Sequence, residues 1–412
     1  MTIRHTLSCD LFCAVVDNYG DIGVCWRLAR QLVQEHNWRV RLWVDNLKAF
    51  SALRPEIDIS RRKQIFDGVD VRHWTDTFDA EKHIPNKVVI EAFACELPAT
   101  YVMAMYAKQQ AKSSSIWINL EYLGLEDWVE DYHLQKSIHP QLGLQKTFFF
   151  PGFTEKTGGV ARENDLITRR NAWFASPNIQ SAHWRALGFH SKPEGALTVS
   201  LFSYENTKLP ALLSQWEKSS QPIICLVPQG CIMPLITGYF GIEALPAGKQ
   251  ASRGALTVHG LPFLPQDRFD QLLWSCDLNF VRGEDSFVRA QWAGKPFVWH
   301  IYPQVNNAHR NKLDAFLTRY LSLSLSSSNQ DDSLLIHEKL DKTSRETTRT
   351  FWYVWNNFSN TSPDWAAFIA QLPALQRHSR AWTNQLMIYD DLTQQLVNFT
   401  ENNVECEADQ SF

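Results

Sequence analysis

The stretch "VVDNYGDIGVCWRLARQL", residues 15–32, decides the fold of the first half of this chain. An apolar run of strand length precedes it at 9–16, and within 24–34 the apolar residues recur at helical spacing. A strand, a short loop with two glycines and a helix, in this order, are typical of an α/β layer. The loop also carries Asp17 and Asp21, whose charge is wrong for the phosphate that such loops commonly bind.

Similar strand segments recur along the chain. In the first half they are "WRVRLWVD" (38–45), "KVVIEAFA" (87–94) and "SSIWINL" (114–120). In the second half they are "ALTVSLFSY" (196–204), "PIICLVP" (222–228), "LTVHGL" (256–261), "DLNFVRG" (277–283) and "KPFVWHI" (295–301). The glycine-containing segment "PGFTEKTGGVAREND" separates the two series. Strands that alternate with helical segments predict parallel sheets covered by helices.

The sequence therefore predicts an α/β protein with two Rossmann-like domains. The first domain covers 1–165 and the second covers 185–362. A C-terminal helical segment at about 373–398 is assigned to the first domain, on which it would pack back. The length of 412 residues agrees with two domains. We expect the serine-rich segment 321–333 to be a flexible loop and 401–412 to be a frayed tail.

The composition disfavours several classes of partner. Forty basic and 44 acidic residues give a formal net charge of −4, so neither nucleic acid nor an anionic membrane is a predicted partner. No run approaches the ~20 apolar residues of a membrane span. Asp10 interrupts the N-terminal apolar run, which therefore does not resemble a signal peptide. The eight cysteines form no C-x-x-C pair and are interpreted as reduced thiols, so we predict a cytoplasmic location.

Three interpretations of the first loop compete. In a dinucleotide-binding loop, Asp45 would be the ribose-binding acid, but D-N-Y-G-D-I-G does not fit G-x-G-x-x-G and the two carboxylates would repel a pyrophosphate. In a purely structural interpretation, Asp21 caps the helix and Asp17 holds the turn. A site for a cationic or proton-donating guest suits two acids at the end of a first strand, where α/β proteins bind ligands.

A second informative stretch is "HGLPFLPQDRFDQLLWSCDLNFVRGEDSFVRAQWAGKPFVWHIYPQ", residues 259–304. Its centre predicts a strand, a glycine turn and a helix that begins near Asp285 or Ser286. The free N–H groups of that helix, the Ser286 hydroxyl and the preceding Arg282 predict a binding site for a diphosphate. The structural alternative is ordinary capping, because Glu284 and Asp285 favour a helix N-terminus by themselves.

Nearby residues are candidates for binding a base and a sugar. Gln266 in "LPFLPQ" is placed to contact a base edge, and Phe202, Tyr204 and Tyr302 are candidates for stacking on a ring, although single aromatic residues more often belong to the core. The sequence contains no D-x-D, G-x-S-x-G or G-x-x-x-x-G-K-[ST] motif. Metal-dependent and serine-hydrolase chemistry are therefore disfavoured.

The amino-acid sequences of several segments resemble those of the EarP family. The matching segments, from about residue 10 to 320, are "DNYGDIGVCWRLARQL", "INLEYL", "SLFSYEN", "LPFLPQ" and "RGEDSFVRAQWAGKPFVWHIYPQ". EarP enzymes are protein-arginine rhamnosyltransferases that modify bacterial translation elongation factor P. The resemblance implies a GT-B glycosyltransferase, with two Rossmann-like domains facing across a cleft. It implies transfer of L-rhamnose from TDP-β-L-rhamnose to an arginine side chain of elongation factor P, with inversion and without a metal or cofactor.

The resemblance also implies roles for individual residues. Asp21 corresponds to the general base and Asp17 to its partner. The nucleotide-sugar motif corresponds to Arg282, Glu284, Asp285 and Ser286, and the lining of the nucleotide and sugar to Phe202, Tyr204, Gln266 and Tyr302. Glu284 is a candidate both for catalysis and for donor binding.

Other functions stay open on residue chemistry alone. A GT-B glycosyltransferase with a different nucleotide sugar or a small-molecule acceptor fits the same motifs. A nicotinamide dehydrogenase fits poorly because of the carboxylates in its first loop. A nonenzymatic nucleotide-binding protein would bind the donor without turning it over.

Overall fold

The computed structural model describes residues 6–17, 19–75, 78, 83–323 and 339–409. The chain divides into two compact units. The first consists of Met1–Asn164 with Tyr389–Phe412, and the second of Asp165–Ile388. Both are α/β units with parallel-dominated sheets, which confirms the predicted fold class.

The first unit contains an eight-stranded sheet in the order β3-β4-β2-β1-β5-β6-β8-β7. Its strands are β1 (Ser8–Cys13), β2 (Arg39–Val44), β3 (Lys63–Phe66), β4 (Val69–His73), β5 (Val88–Ala92), β6 (Ile116–Leu120), β7 (Lys136–Ile138) and β8 (Gln145–Phe149). Its helices are α1 (Gly20–His36), α2 (Leu47–Leu53), α3 (Ala99–Gln110), α4 (Trp128–Tyr132) and α15 (Leu392–Asp409). The outer pairs β3/β4 and β7/β8 are antiparallel, and the strands between them pair in parallel.

The second unit contains a six-stranded sheet in the order β11-β12-β10-β9-β13-β14. Its strands are β9 (Leu197–Leu201), β10 (Ile223–Pro228), β11 (Gln250–Arg253), β12 (Leu256–Leu261), β13 (Leu278–Arg282) and β14 (Phe297–His300). Its helices are α5 (Leu166–Ala175), α6 (Pro177–Ala186), α7 (Leu209–Glu217), α8 (Met233–Phe240), α9 (Gln266–Ser275), α10 (Asp285–Ala293), α11 (His309–Leu321), α12 (Lys342–Trp355), α13 (Trp365–Ile369) and α14 (Leu372–Leu386). Only the β11/β12 pair of this sheet is antiparallel.

Each sheet has one point at which the strand order reverses. In the first sheet β1 is followed outward by β2 and β4 on one side, and β5 and β6 lie on the other. In the second sheet β9 is followed by β10 and β12 on one side, and β13 and β14 lie on the other. Ligands of such sheets bind outside the carboxyl ends of the strands at this reversal, between β1 and β5 or between β9 and β13.

The division of the C-terminal third differs in detail from the predicted domains. The helical segment predicted at about 373–398 is split, because α14 belongs to the second unit and α15 to the first. Gln31 of α1 explains the position of α15, since its amide donates to Asp391 Oδ1 over 3.2 Å and accepts from Thr393 Oγ1 over 3.0 Å. Helices α5 and α6 begin the second unit ahead of the predicted start at 185.

Two further predictions concern segments near the C-terminus. The expected frayed tail at 401–412 is wrong for its first part, because α15 continues as a helix to Asp409. The predicted serine-rich loop at 321–333 lies largely outside the described residues. Within the described ranges, no helix combines the length and apolarity needed to cross a membrane.

A buried carboxylate lies at the centre of the first sheet. Asp10 of β1 is fully buried. It accepts hydrogen bonds from Arg41 Nε at 2.6 Å and Nη2 at 2.7 Å, Trp43 Nε1 at 2.9 Å, the Asn86 backbone N–H at 2.8 Å and Tyr101 Oη at 2.6 Å. The residue that interrupts the apolar run of the first strand is therefore a structural acceptor, because a buried charge requires such partners.

We expect Asp10→Asn to lower the free energy of unfolding by about 2–4 kcal/mol, because an amide accepts fewer bonds and leaves the Arg41 charge without its counterion. Chemical denaturation of the purified variant measures this loss. Asp70→Asn is the matched control, since Asp70 pairs with Arg72 at 2.8 Å in a partly exposed position. The control should lose less than about 1 kcal/mol. Equal losses in both variants would contradict the structural role of Asp10.

Candidate functional site

The carboxylate loop, by which we mean the connection from β1 to α1 with Asp17 together with Asp21 in the first turn of α1, lies at the reversal point of the first sheet. The Asp21 side chain is 2% exposed. Its Oδ2 atom accepts from the backbone N–H of Val16 over 2.7 Å and from that of Asp17 over 2.8 Å. Two bonds to one oxygen hold the carboxylate in a single orientation. The helix-capping interpretation of Asp21 is therefore wrong, because its acceptor bonds reach back to the loop.

The start of α1 is shaped around Asp17. The backbone N–H of Gly20 donates to the Asp17 carbonyl over 2.7 Å, so the main chain of Asp17 does hold the turn. A Cβ atom on Gly20 would lie 3.0 Å from Asp17 Oδ2. Gly20 is thus required for close approach of the carboxylate to the helix rather than for an unusual backbone angle.

A third carboxylate supports the same loop from the end of β2. Asp45 Oδ1 accepts from the backbone N–H of Val15 over 2.9 Å. Burial raises the pKa of Asp45, and the charge of Asp21 raises it further. The residue considered above as a ribose-binding acid therefore positions the strand end that leads into the carboxylate loop.

The turn between β13 and α10 lies at the reversal point of the second sheet. Gly283 has φ of 61°, a left-handed conformation that favours glycine. The buried Ser286 hydroxyl accepts from the backbone N–H of Arg282 over 3.0 Å and donates to the Arg282 carbonyl. Its hydrogen is thus used within the turn. We expect Ser286 to act by fixing the end of β13 against the start of α10, where backbone N–H groups point outward.

The Arg282 guanidinium is enclosed by aromatic rings. Its Cζ atom lies 4.5 Å from the ring centroid of Phe202 and 4.6 Å from that of Tyr204, and Nη1 donates to Cys231 Sγ over 3.1 Å. The residue is 7% exposed. We refer to Arg282, Phe202, Tyr204 and Cys231 as the Arg282 cluster. Stacking between rings pre-orients the planar cation, which suits recognition of a phosphate.

The remaining predicted donor residues surround this cluster. Gln266 at the start of α9 donates through Nε2 to Asp285 Oδ2 over 3.0 Å, which joins the N-termini of α9 and α10. Tyr302 is 40% exposed, and its ring meets that of Tyr204 edge-on at 5.6 Å between centroids. Glu284 occupies the position before the first residue of α10. Predicted residues from four separate segments are thus assembled at one end of the second sheet.

A buried histidine lies beside the Arg282 cluster. His300 ends β14, is 3% exposed and shares a 2.7 Å hydrogen bond between its Nδ1 atom and Ser203 Oγ. Burial lowers the pKa of His300 to about 3, and the charges of Arg282 and His309 act in the same direction. The imidazole is therefore neutral in the folded protein at neutral pH.

This shift predicts that the protein loses stability in mild acid. Below about pH 6.5 the unfolded chain binds a proton at His300 that the folded chain does not bind until about pH 3. The free energy of unfolding should therefore fall less steeply as the pH is lowered in His300→Asn than in the parent protein. The difference in slope should be up to about 1.4 kcal/mol per pH unit. Denaturant unfolding at a series of pH values measures the slope. The exposed His190→Asn control should keep the original slope, and an unchanged slope in His300→Asn would contradict the assignment.

Several residues of these sites were not singled out by sequence reasoning. Cys231, whose sulfur accepts from Arg282, lies in no matching segment, and Ser203, which is bonded to His300, lies in "SLFSYEN" but was not predicted individually. Asp270 of α9 and Arg289 of α10 form a two-bond ion pair, Nε to Oδ1 at 2.8 Å and Nη2 to Oδ2 at 2.6 Å, with both side chains 1% exposed. Charged residues in amphipathic helices are normally solvent-facing, so their pattern gave no signal.

No group of three or more His, Cys, Asp or Glu residues in the described part of the chain is arranged to hold a metal ion. The positive charge at the second site comes instead from Arg282 and from the N-terminus of α10. Chemically, the first site offers a fixed carboxylate and the second offers a stacked cation with backbone donors. The first suits a proton-donating cation, and the second suits a diphosphate.

Comparisons with known proteins identify the family of this chain. The sequence profile described as "Elongation-Factor P (EF-P) rhamnosyltransferase EarP" matches residues 9–401. A protein-arginine rhamnosyltransferase of Pseudomonas putida is 47% identical, over 96% of this chain and 99% of the relative. The enzyme of the same name from Pseudomonas aeruginosa is 43% identical, over 95% of this chain and 98% of the relative.

One solved structure is similar over nearly the whole chain. It comes from work on EarP-mediated arginine glycosylation of translation elongation factor EF-P and has 36% sequence identity with this chain. Its TM-score is 0.65, and the match covers 96% of this chain and 99% of that one. Sequence and structure thus agree that this protein is a glycosyltransferase and belongs to the EarP family.

Proposed function

We propose that this protein transfers L-rhamnose from TDP-β-L-rhamnose to an arginine side chain of translation elongation factor P, with inversion at the anomeric carbon. The observation that carries the proposal is the buried Asp21 carboxylate, oriented by two backbone N–H groups at the reversal point of the first sheet. The names of the relatives, protein-arginine rhamnosyltransferases, support the same acceptor group and sugar. An acceptor that is a translation factor places the reaction in the cytoplasm.

Arginine as acceptor explains the carboxylates. A guanidinium has a pKa above about 12 and delocalised lone pairs, so it is a poor nucleophile. Asp17 and Asp21 supply the oxygens that its fixed N–H donors require, and they orient the acceptor nitrogen. Because a carboxylate is far too weak a base to deprotonate free guanidinium beforehand, Asp21 accepts the proton as the new C–N bond forms.

The donor binds at the Arg282 cluster and the N-terminus of α10. There the Arg282 charge and the backbone N–H groups stabilise the diphosphate as negative charge develops on it. The base and the sugar of the donor are lined by Tyr302, Phe202, Tyr204 and Gln266. Glu284, at the start of α10, contacts the donor or assists the reaction directly.

Inversion requires a single displacement. The guanidine nitrogen attacks the anomeric carbon from the face opposite TDP, the C–O bond to the diphosphate breaks, and the nitrogen loses its proton to Asp21. No covalent enzyme intermediate and no cofactor are needed. We propose that the reaction is metal-independent because Arg282 and the helix N-terminus supply the charge that a divalent cation would otherwise provide.

The direct test is the intact mass of purified, unmodified elongation factor P after incubation with this protein and TDP-β-L-rhamnose, with and without a chelator. We expect a mass increase of one deoxyhexose, mapped to an arginine and insensitive to the chelator. Nuclear magnetic resonance of the product glycopeptide reports the anomeric configuration. Donor binding without any increase would overturn elongation factor P as the acceptor.

Arg282→Ala should weaken TDP binding by about tenfold to a hundredfold, because it removes both the charge and the stacked guanidinium. Arg282→Lys should recover only part of the loss, since an ammonium lacks the planar fork that lies between Phe202 and Tyr204. Isothermal titration calorimetry with TDP measures both. The exposed Arg310→Ala, on α11, is the control and should bind TDP normally. Unchanged affinity in Arg282→Ala would contradict the assigned donor site.

A further inference from the structure

The loop between β5 and α3 adjoins the carboxylate loop. β5 pairs with β1 in parallel, so the carboxyl ends of both strands meet at the same edge, at the reversal point of the first sheet. The chain leaves β5 at Phe93 and enters α3 at Ala99. The β5–α3 loop, residues 93–98, therefore lies at the same edge of the sheet as the carboxylate loop.

The backbone of the β5–α3 loop is strained. Phe93, Ala94 and Glu96 have φ values of 57°, 51° and 53°, so three non-glycine residues within four positions are left-handed. Each such residue is disfavoured, because its Cβ atom crowds the backbone. Strain of this kind persists where surrounding contacts enforce it, and it clusters at functional sites.

Identifiable bonds enforce this conformation. Three backbone N–H groups of the loop are bonded, Phe93 to the Leu120 carbonyl at 2.6 Å, Cys95 to the Ala92 carbonyl at 3.2 Å and Glu96 to Glu91 Oε1 at 3.1 Å. Glu91 is 2% exposed and is itself fixed, because its Oε2 atom accepts from Trp117 Nε1 over 3.1 Å and from Lys146 Nζ over 3.2 Å. The buried Glu91 carboxylate therefore stabilises the conformation of the β5–α3 loop.

The strained conformation presents an aromatic pair with acidic neighbours. The ring of Phe93 stacks on that of Tyr122, which follows β6, with centroids 4.4 Å apart and planes at 14°. Tyr122 is 39% exposed. Glu96 in the same loop is exposed, whereas the Glu121 carboxylate beside Tyr122 in the sequence is half-buried and accepts from Asn119 Nδ2. An exposed aromatic face attracts cationic side chains, and the exposed acid of the same loop favours a cation as well.

We propose that Phe93, Tyr122 and Glu96 form the surface on which the arginine-bearing segment of the acceptor protein docks. The proposal rests on the proposed function and names the part of the first unit that selects its partner. The carboxylate loop binds the reacting guanidinium, and this neighbouring surface binds the segment around it. Phe93 and Tyr122 do not contact the reacting atoms and serve to position the acceptor.

The test is steady-state kinetics with unmodified elongation factor P as the varied substrate. Phe93→Ala and Tyr122→Ala should each raise the KM for the acceptor about tenfold or more, with kcat within about threefold and TDP affinity unchanged. Tyr132→Ala is the matched control, since Tyr132 is 56% exposed and its ring contacts Trp128 at 5.6 Å elsewhere in the first unit. Glu96→Gln, which keeps the backbone bond to Glu91, should raise KM and weaken its dependence on salt.

The outcomes separate this proposal from the proposed function. A raised KM in the Phe93 and Tyr122 variants, with a normal melting temperature, supports the docking surface. An unchanged KM, or a fall in kcat alone, overturns it while leaving rhamnose transfer intact. A variant that changes only the oligomeric state shows that a second copy covers the surface, which also overturns it. A wild-type chain that neither binds nor modifies elongation factor P overturns both.

Discussion

Replacing Asp21 by Asn is expected to lower the rate of rhamnose transfer by about a hundredfold to ten-thousandfold, with TDP affinity unchanged. The amide keeps an oxygen that can accept from the backbone N–H groups of Val16 and Asp17, so the carboxylate loop keeps its shape. What the amide lacks is the ability to take a proton from the acceptor nitrogen. The loss should therefore fall on kcat and not on donor binding.

Single-turnover transfer to elongation factor P, followed by intact mass, measures the chemical step directly. Asp131→Asn is the control, since Asp131 is an exposed acid on α4 of the same unit and should transfer at the parent rate. Asp21→Ala, which also removes the loop acceptor, should lose stability in addition to activity. Transfer by Asp21→Asn at the parent rate would refute the general-base role.

Arg289→Met is expected to lower the free energy of unfolding by about 3–5 kcal/mol. The substitution leaves the Asp270 carboxylate buried in the second unit without the guanidinium that donates two bonds to it. The pair joins α9 to α10, and these helices begin at Gln266 and Asp285, which we propose bind the donor. Its loss should therefore also weaken TDP binding.

Denaturant unfolding of two variants separates the ion pair from simple packing. A double variant, Arg289→Met with Asp270→Leu, should recover most of the lost stability, because no uncompensated charge remains buried. Arg310→Met is the control, since Arg310 lies 4.0 Å from Asp314 in an exposed pair and should cost less than about 1 kcal/mol. If the double variant were as unstable as Arg289→Met, the unpaired charge of Asp270 would not be the cause of the lost stability.

Much of the fold is local in the sequence and was predictable. The apolar run at 222–228 contains β10, because a strand buried on both faces leaves a continuous apolar signal. The helix predicted to begin near Asp285 or Ser286 does begin at Asp285. The edge strands β3, β7 and β11 were not predicted, since short, partly exposed strands carry mixed polarity.

The candidate sites were predictable to the extent that they follow strands directly. Asp21 follows the central strand β1, and Arg282 is the last residue of the central strand β13. The carboxyl ends of such strands are where α/β proteins bind ligands. Apart from Cys231, the members of the Arg282 cluster were predicted, but their stacked geometry depends on contacts between β9 and β13 that no local pattern encodes. The support from Asp45 and the strained loop at Phe93 also depend on which strands become neighbours.

The return of α15 to the first unit bears on the order in which the protein matures during synthesis. Helix α1, which begins at the carboxylate loop, buries Gln31 to 2% exposure, and the partners of that amide include Asp391 and Thr393. These residues emerge from the ribosome after the entire second unit has been made. The half of the enzyme translated first is therefore finished last, because a nascent chain cannot complete the packing of α1 before the second unit has been made.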